Sequence, residues 1–230
     1  MINNKKILME QHIVKILKIE KVTHDVKRLI VEKPAGYNFI PGQATEVAIN
    51  IQGYQDERRP FTFTGLNEWA NLEFTIKIYS DHEGVTKKLG TLIPGDEIII
   101  HDVWGTIGYK GPGLFIAGGA GVTPFIAIFR DLQSKNNIGG NALIFANKTK
   151  ADIILKDEFE KILGKNFINI LSHEKLNEYA HGFITQDFLK QYINDKKTIY
   201  MCGPPPMMEA VEKQLANLNV DEKTIVKEAF

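Results

Sequence analysis

The chain has 230 residues, enough for two compact domains of roughly 100 to 130 residues each, and its 28 basic and 28 acidic residues cancel. That balance gives no global field toward nucleic acid or an anionic membrane, so neither partner is expected. The single cysteine, Cys202, excludes an intrachain disulfide and a four-cysteine metal or iron-sulfur site, and no membrane-length apolar run or signal-like N-terminus is present; the expectation is a soluble, cytoplasmic, monomeric protein.

The first hundred residues alternate short β-branched or aromatic runs with turns: HIVKILKIE, VKRLIVEKP, QATEVAIN, RPFTFTG, NLEFTIKIYS and DEIIIHDV. Strand-length runs at this spacing predict an antiparallel β-barrel. Only EGVTKKLGTLIPG, where Gly84 precedes Val85 and Thr86, offers a short helix in this half. IPGQ (40 to 43) is a good Pro-Gly turn and is assigned structure alone.

After GYKGPG (108 to 113) the rhythm changes. Buried apolar strands alternate with helix-length segments: LFIAG with TPFIAIFRDLQSK, ALIFAN with LKDEFEKIL, FINILS with ITQDFLKQYI, TIYMCG with PPPMMEAVEKQLANL, and a closing TIVKEAF. This pattern predicts a five-stranded, parallel, doubly wound α/β domain over residues 110–230, behind a barrel domain over 1–109. The expected strand order 3-2-1-4-5 puts a ligand crevice between strands 1 and 4 at their carboxyl ends.

Two unusual loops face that crevice, GGAGVTP (118 to 124) and CGPPPMM (202 to 208). Gly118, Gly119 and Gly121 remove side chains where backbone approaches a ligand, Thr123 caps the next helix, and Pro124 starts it rigidly. A helix N-terminus placed this way attracts phosphate. The six histidines show no ligand spacing, so no metal is assigned. Where strand 2 ends, Lys148 and Lys150 precede Asp152, which favours a 2′-phosphate and hence NADPH over NADH.

RPFT (59 to 62), EGVT (83 to 86), GGAGVTP and CGPPPMM occur in the order that resembles the ferredoxin-NADP reductase superfamily, a flavin-binding barrel followed by a nicotinamide-dinucleotide domain. The resemblance implies that Arg59 holds the flavin phosphate, that Pro60 and Phe61 line the isoalloxazine, and that Thr62 bonds near flavin N5. The family more often has tyrosine where Phe61 stands. Gly84, Val85 and Thr86 match the segment that receives the flavin pyrophosphate. Cys202, with Gly203, Pro204 and Met207, would form the nicotinamide platform, the cysteine sulfur near nicotinamide C4. At the chain end Glu228 would sit beside the nicotinamide site and Phe230 would cover the flavin.

The function implied is a flavin-dependent NAD(P)H oxidoreductase, with FAD favoured over FMN, that passes electrons to flavodoxin or ferredoxin. A free-flavin or quinone reductase, and an electron-transfer subunit of a larger complex, are the alternatives.

Overall fold

The structure is a computed structural model and describes residues 10–81, 83–105, 107–193 and 198–227. Strands β1 (His12–Lys21), β2 (Val26–Glu32), β3 (Ala44–Ile49), β4 (Arg59–Thr62) and β5 (Asn71–Lys77) precede the one-turn helix α1 (Val85–Leu89) and strand β6 (Glu97–Trp104). Period-two alternation explains the strands: along β1, Val14 and Ile16 are buried while Ile13, Lys15 and Leu17 point outward. The strands pair antiparallel in the order β4-β3-β6-β1-β2-β5. The sheet curls until the end of β4 meets β5 at a bridge between Phe63 and Phe74, which closes the barrel.

Leu29, Val31, Val47, Phe63, Phe74, Ile98 and Ile100 fill the interior, and Phe39 stacks on Phe63 with centroids 4.2 Å apart. Tyr37 donates to the His101 carbonyl at 2.6 Å, and burial pushes its phenol up to about 12. Gly42 of the IPGQ turn has φ +93°, and a Cβ there would stand 1.8 Å from the Ile107 carbonyl oxygen. Only glycine fits that turn.

The second half contains β7 (Gly113–Gly118), α2 (Thr123–Ser134), β8 (Ala142–Asn147), α3 (Lys156–Leu163), β9 (Phe167–Leu171), β10 (Ala180–His181), α4 (Gln186–Ile193), β11 (Thr198–Cys202), α5 (Pro205–Asn217) and β12 (Ile225–Lys227). All its strands are parallel, in the order β10-β9-β8-β7-β11-β12. The five expected strands therefore lie 3-2-1-4-5, and β10 adds an edge. Two residues carry no alternation, so β10 has no signature in the sequence.

Side chains divide between the sheet's faces. Phe115 and Phe145 pack under Phe125 and Phe129 of α2 and Phe159 of α3. Leu114, Ile116 and Ile144 pack with Leu189 of α4 and Val211 and Leu215 of α5. Covering both faces is what a continuous apolar strand requires. None of the described helices is long and apolar enough to cross a membrane.

The start of α2 differs from expectation. A single 3-10 turn, Gly119–Val122, feeds directly into the helix, and Val122 is already helical at φ −73° and ψ −16°. Thr123 is thus the first helical residue and Pro124 the second, and no side chain caps the helix. The extended backbone that side-chain capping needs has been replaced by the turn.

The two halves share a core and an ionic joint. Val26 and Ile107 belong to the cluster that contains Phe125 and Phe129. Arg130 of α2, 8% exposed, donates through one terminal nitrogen to Glu73 Oε1 at 2.5 Å and to the Thr64 carbonyl at 2.8 Å. Its Nε and other terminal nitrogen hold Glu158 of α3 at 2.5 and 2.8 Å. Its guanidinium lies 5.4 Å from the Trp69 ring centroid. Burial disfavours the charge, but Glu158 and Glu73 outweigh it and raise the guanidinium's pKa further.

Candidate functional site

A cleft of about 950 Å³ opens between the barrel and the parallel sheet, over the carboxyl ends of β7 and β11. Its volume is that of a site for a large organic ligand. One wall is Pro60, Phe61 and Thr62 of β4, the end of β5, Tyr79, Thr86 of α1 and Trp104 at the end of β6. No residue of β4 is buried: Arg59 and Pro60 are exposed and Phe61 and Thr62 half-buried. The result is an apolar wall of Pro60, Phe61, Tyr79 and Trp104, of a kind that suits a flat ring.

The opposite wall is built from the two glycine-containing loops. Gly118, Gly119, Gly121, Thr123, Pro124, Cys202, Gly203, Pro204 and Met207 all line the cleft. The glycines divide into two kinds. A Cβ on Gly121 would lie 2.3 Å from the Cys202 carbonyl oxygen, one on Gly118 2.5 Å from Met207 Sδ, and one on Gly203 2.6 Å from Met207 Cε. These three residues let one loop press against the other. Gly119, at φ +51° with no neighbour within 4 Å of its missing Cβ, instead leaves space open. The expected role of clearing room for a ligand's approach therefore fits Gly119, while Gly118 and Gly121 serve loop-to-loop packing. Cys202 is buried at the end of β11, in register with Ala117 of β7.

Asn147, at the end of β8, is buried and lines the same cleft, yet neither Oδ1 nor Nδ2 has a hydrogen-bond partner. An amide left in this condition is costly unless a ligand or water meets it. Beside it, Lys148 lines the cleft. Lys150 does not: its backbone nitrogen donates to Glu174 at 2.7 Å, its ammonium to Glu178 at 3.2 Å, and it lies over the Tyr179 ring. Asp152 takes the place at the cleft that the sequence seemed to offer to that lysine. Its Oδ2 accepts from the Thr149 backbone and hydroxyl at 2.8 and 2.7 Å, and its Oδ1 lies 3.7 Å from His24 Nε2 of the barrel half.

His24 is also 3.7 Å from Asp25, a grouping that spacing alone did not reveal. Burial would raise the Asp25 carboxyl, but hydrogen bonds from Lys77 and Thr23 outweigh it and hold it below the ordinary carboxylate range.

Three expected flavin contacts stand apart from the cleft lining. Arg59 is exposed; its guanidinium donates to the Arg58 carbonyl at 2.7 Å and lies 3.9 Å from Glu57. Gly84 precedes α1, and its carbonyl accepts from Lys88 at 3.1 Å. Val85 is buried in the barrel core, so only its backbone could face a ligand. Glu228 and Phe230 lie outside the described residues. Cleft residues that the sequence reading missed are Tyr79, Trp104, Asn147 and Phe183, the last 77% exposed. The available signal was a large aromatic at or just beyond a strand end for Trp104 and Tyr79 and beside a glycine for Phe183; Asn147 carried none.

The glycine loops and Asn147 thus fit a dinucleotide, and the uncovered aromatic wall fits a flavin ring. Residues 115–213 match the family model described as an oxidoreductase NAD-binding domain. The chain is 30% identical over 222 residues to NADH-cytochrome b5 reductase 1 of Aspergillus terreus, which covers 86% of this chain and 74% of that protein. It is 30% identical over 216 residues to NADH-cytochrome b5 reductase 2 of Mycosarcoma maydis, covering 84% of this chain and spanning 61% of the relative's length. Among solved structures, the cytochrome b5 reductase domain of Ulva prolifera nitrate reductase has the same fold, with TM-score 0.82, 22% identity, and coverage of 95% of this chain and 97% of that one. The chain belongs to the ferredoxin-NADP reductase superfamily of flavoprotein oxidoreductases.

Proposed function

We propose that this chain oxidises NADH through bound FAD and delivers the electrons singly to a small carrier protein. The observation that carries the reading is the cleft itself, where an uncovered aromatic strand face and two interlocked glycine loops stand opposite one another. Bound FAD supplies two-electron uptake and one-electron release, chemistry that no side chain offers.

The chain's residues do the orienting. Phe61 and Pro60 present the flat wall, and the Thr62 hydroxyl would donate a hydrogen bond to the flavin. Arg59 and the Gly84–Thr86 segment take its phosphates. The α2 start, with Gly119 and Pro124, receives the dinucleotide phosphates, while Cys202 to Met207 support the nicotinamide. Glu228 and Phe230, which the resemblance assigns to the same site, lie outside the described residues. In this reading the chain divides into a flavin half, 1–109, and a nucleotide half, 110–230.

NADH is preferred to NADPH, which reverses the expectation from Lys148 and Lys150. Lys150 is paired with Glu178 and does not line the cleft, whereas Asp152 does, and its negative charge there would favour a ribose hydroxyl over a 2′-phosphate. The carrier is a flavodoxin or ferredoxin, as the family resemblance implies, or a cytochrome b5, the acceptor in the names of the relatives.

The test begins with an absorbance spectrum and chromatography of extracted flavin. Stopped-flow mixing with NADH and NADPH follows, then turnover with each carrier. A yellow protein bleached faster by NADH is the expected result. A colourless protein that neither FAD nor FMN reconstitutes overturns the reading.

A further inference from the structure

We infer that Arg130 is a positioning residue that sets the separation between the two walls of the cleft, and that its bond to Glu73 performs this task. The inference rests on the reading of the cleft as a flavin and nicotinamide site.

The geometry is that of a joint placed on two rigid elements. Arg130 lies seven residues after Thr123 on α2, about 10 Å along the same helix from the residues that line the nucleotide wall. Glu73 lies two residues before Thr75, where β5 enters the opposite wall. A helix and a strand paired along its whole length with β2 transmit a displacement at one point to the other. The guanidinium is buried and its bonds divide by destination: Glu158 belongs to its own half, while Glu73 and the Thr64 carbonyl belong to the barrel. Thr64 also donates its hydroxyl to Glu73 at 2.8 Å, which fixes the carboxylate from the barrel side.

This division separates positioning from plain stabilisation. Glu73→Gln and Glu158→Gln each remove one carboxylate from the same buried guanidinium, and both lower stability. Only the former slackens the tie between the walls. Two readouts follow it. The first is the rate of flavin reduction by NADH under single turnover. The second, which needs no cofactor, is the rate at which a thiol reagent labels Cys202, the chain's single cysteine, buried at the floor of the cleft.

Glu73→Gln is expected to reduce flavin about ten- to a hundredfold more slowly, the scale of a misplacement of about 1 Å, with flavin content retained. It is also expected to label Cys202 severalfold faster in the cofactor-free protein. Glu158→Gln is expected to stay close to wild type in both. If Glu73→Gln does not fold, Glu73→Asp, which keeps the charge and shortens the reach by one methylene, takes its place. A Glu73 variant that matches Glu158→Gln in either readout overturns the inference. If NADH fails to reduce the wild-type flavoprotein, the functional reading falls, and labelling of Cys202 alone judges the joint.

Discussion

Gly121→Ala tests the interlocking of the two loops most directly. The new Cβ would stand 2.3 Å from the Cys202 carbonyl oxygen, 2.5 Å from its carbon and 2.6 Å from Gly203 Cα. All three are backbone atoms, and Cys202 is held in register against Ala117, so none can swing aside as a side chain would. Restoring ordinary contact requires the loops to part by about 1 Å. Overpacking of this kind costs about 1 to 3 kcal/mol, or roughly 2 to 12 °C in Tm for a chain of this size. The same displacement moves the nicotinamide platform, at a cost of up to about a hundredfold in flavin reduction. Flavin content is expected to hold, because β4 is untouched. Gly119→Ala provides the contrast: its φ of +51° penalises alanine by about 1 to 2 kcal/mol, and the added methyl meets no protein atom within 4 Å but enters the space left for the dinucleotide, so it should weaken NADH binding without parting the loops. Both variants lose stability; Gly119→Ala needs more NADH to reach its limiting reduction rate, and only Gly121→Ala loses most of that limiting rate at saturating NADH. Thermal melts and stopped-flow reduction by NADH measure the pair. Wild-type melting and reduction in Gly121→Ala would refute the reasoning.

Three further outcomes are expected. Asp152→Ala removes the negative charge from the cleft lining and should narrow the preference for NADH over NADPH by about tenfold or more in kcat/KM, about 1.4 kcal/mol; an unchanged ratio removes Asp152 from recognition. Arg59→Ala breaks no buried contact, since its partners are the Arg58 carbonyl and Glu57, so the cofactor-free protein should melt as wild type while FAD binds about 10- to 150-fold more weakly by equilibrium titration. For Tyr37, the folded pKa of about 12 lies above the ordinary phenol value of 10.0, so its contribution is full below pH 10 and is lost as pH rises toward 12. Tyr37→Phe should flatten that alkaline loss in denaturant titrations, and an identical pH profile would count against it.

The barrel and the parallel sheet were legible because their strands carry unambiguous periods. HIVKILKIE alternates and LFIAG is continuously apolar, and each became the strand its period implies. The cleft was legible in outline because both glycine loops fall at strand ends that topology forces together. What stayed hidden depended on contacts between distant residues. Whether Thr123 caps a helix is decided by the turn that Gly119 to Val122 makes before it. Lys150 and Asp152 are two residues apart, and only the presence of Glu178 on the far side tells which of them lines the cleft. Asn147 reads as one more strand residue until its amide is found without a partner. Arg130 sits in a helical segment, and nothing local reveals that its counter-charge is Glu73, 57 residues earlier.

The closure of the barrel has a consequence for how the chain is made and recombined. At the seam, the Phe63–Phe74 bridge and the bond from Thr64 to the Glu73 carbonyl at 2.9 Å lie beside the carboxylate that Arg130 neutralises. The flavin half is thus not a self-contained cassette. Cut away from its neighbour, it would leave Glu73 without its cation and strip Val26 and Ile107 of the aromatic cluster over them. A chimera that pairs this barrel with a foreign nucleotide half must bring a cation to the same point on its first helix. During synthesis Arg130 follows Glu73 by 57 residues, so the seam waits roughly 3 to 11 s for its partner at ordinary elongation rates. Until α2 emerges, the nascent barrel must hold that edge closed with its backbone bonds, the Thr64–Glu73 side-chain bond and the Phe63–Phe74 ring contact, and without the cation.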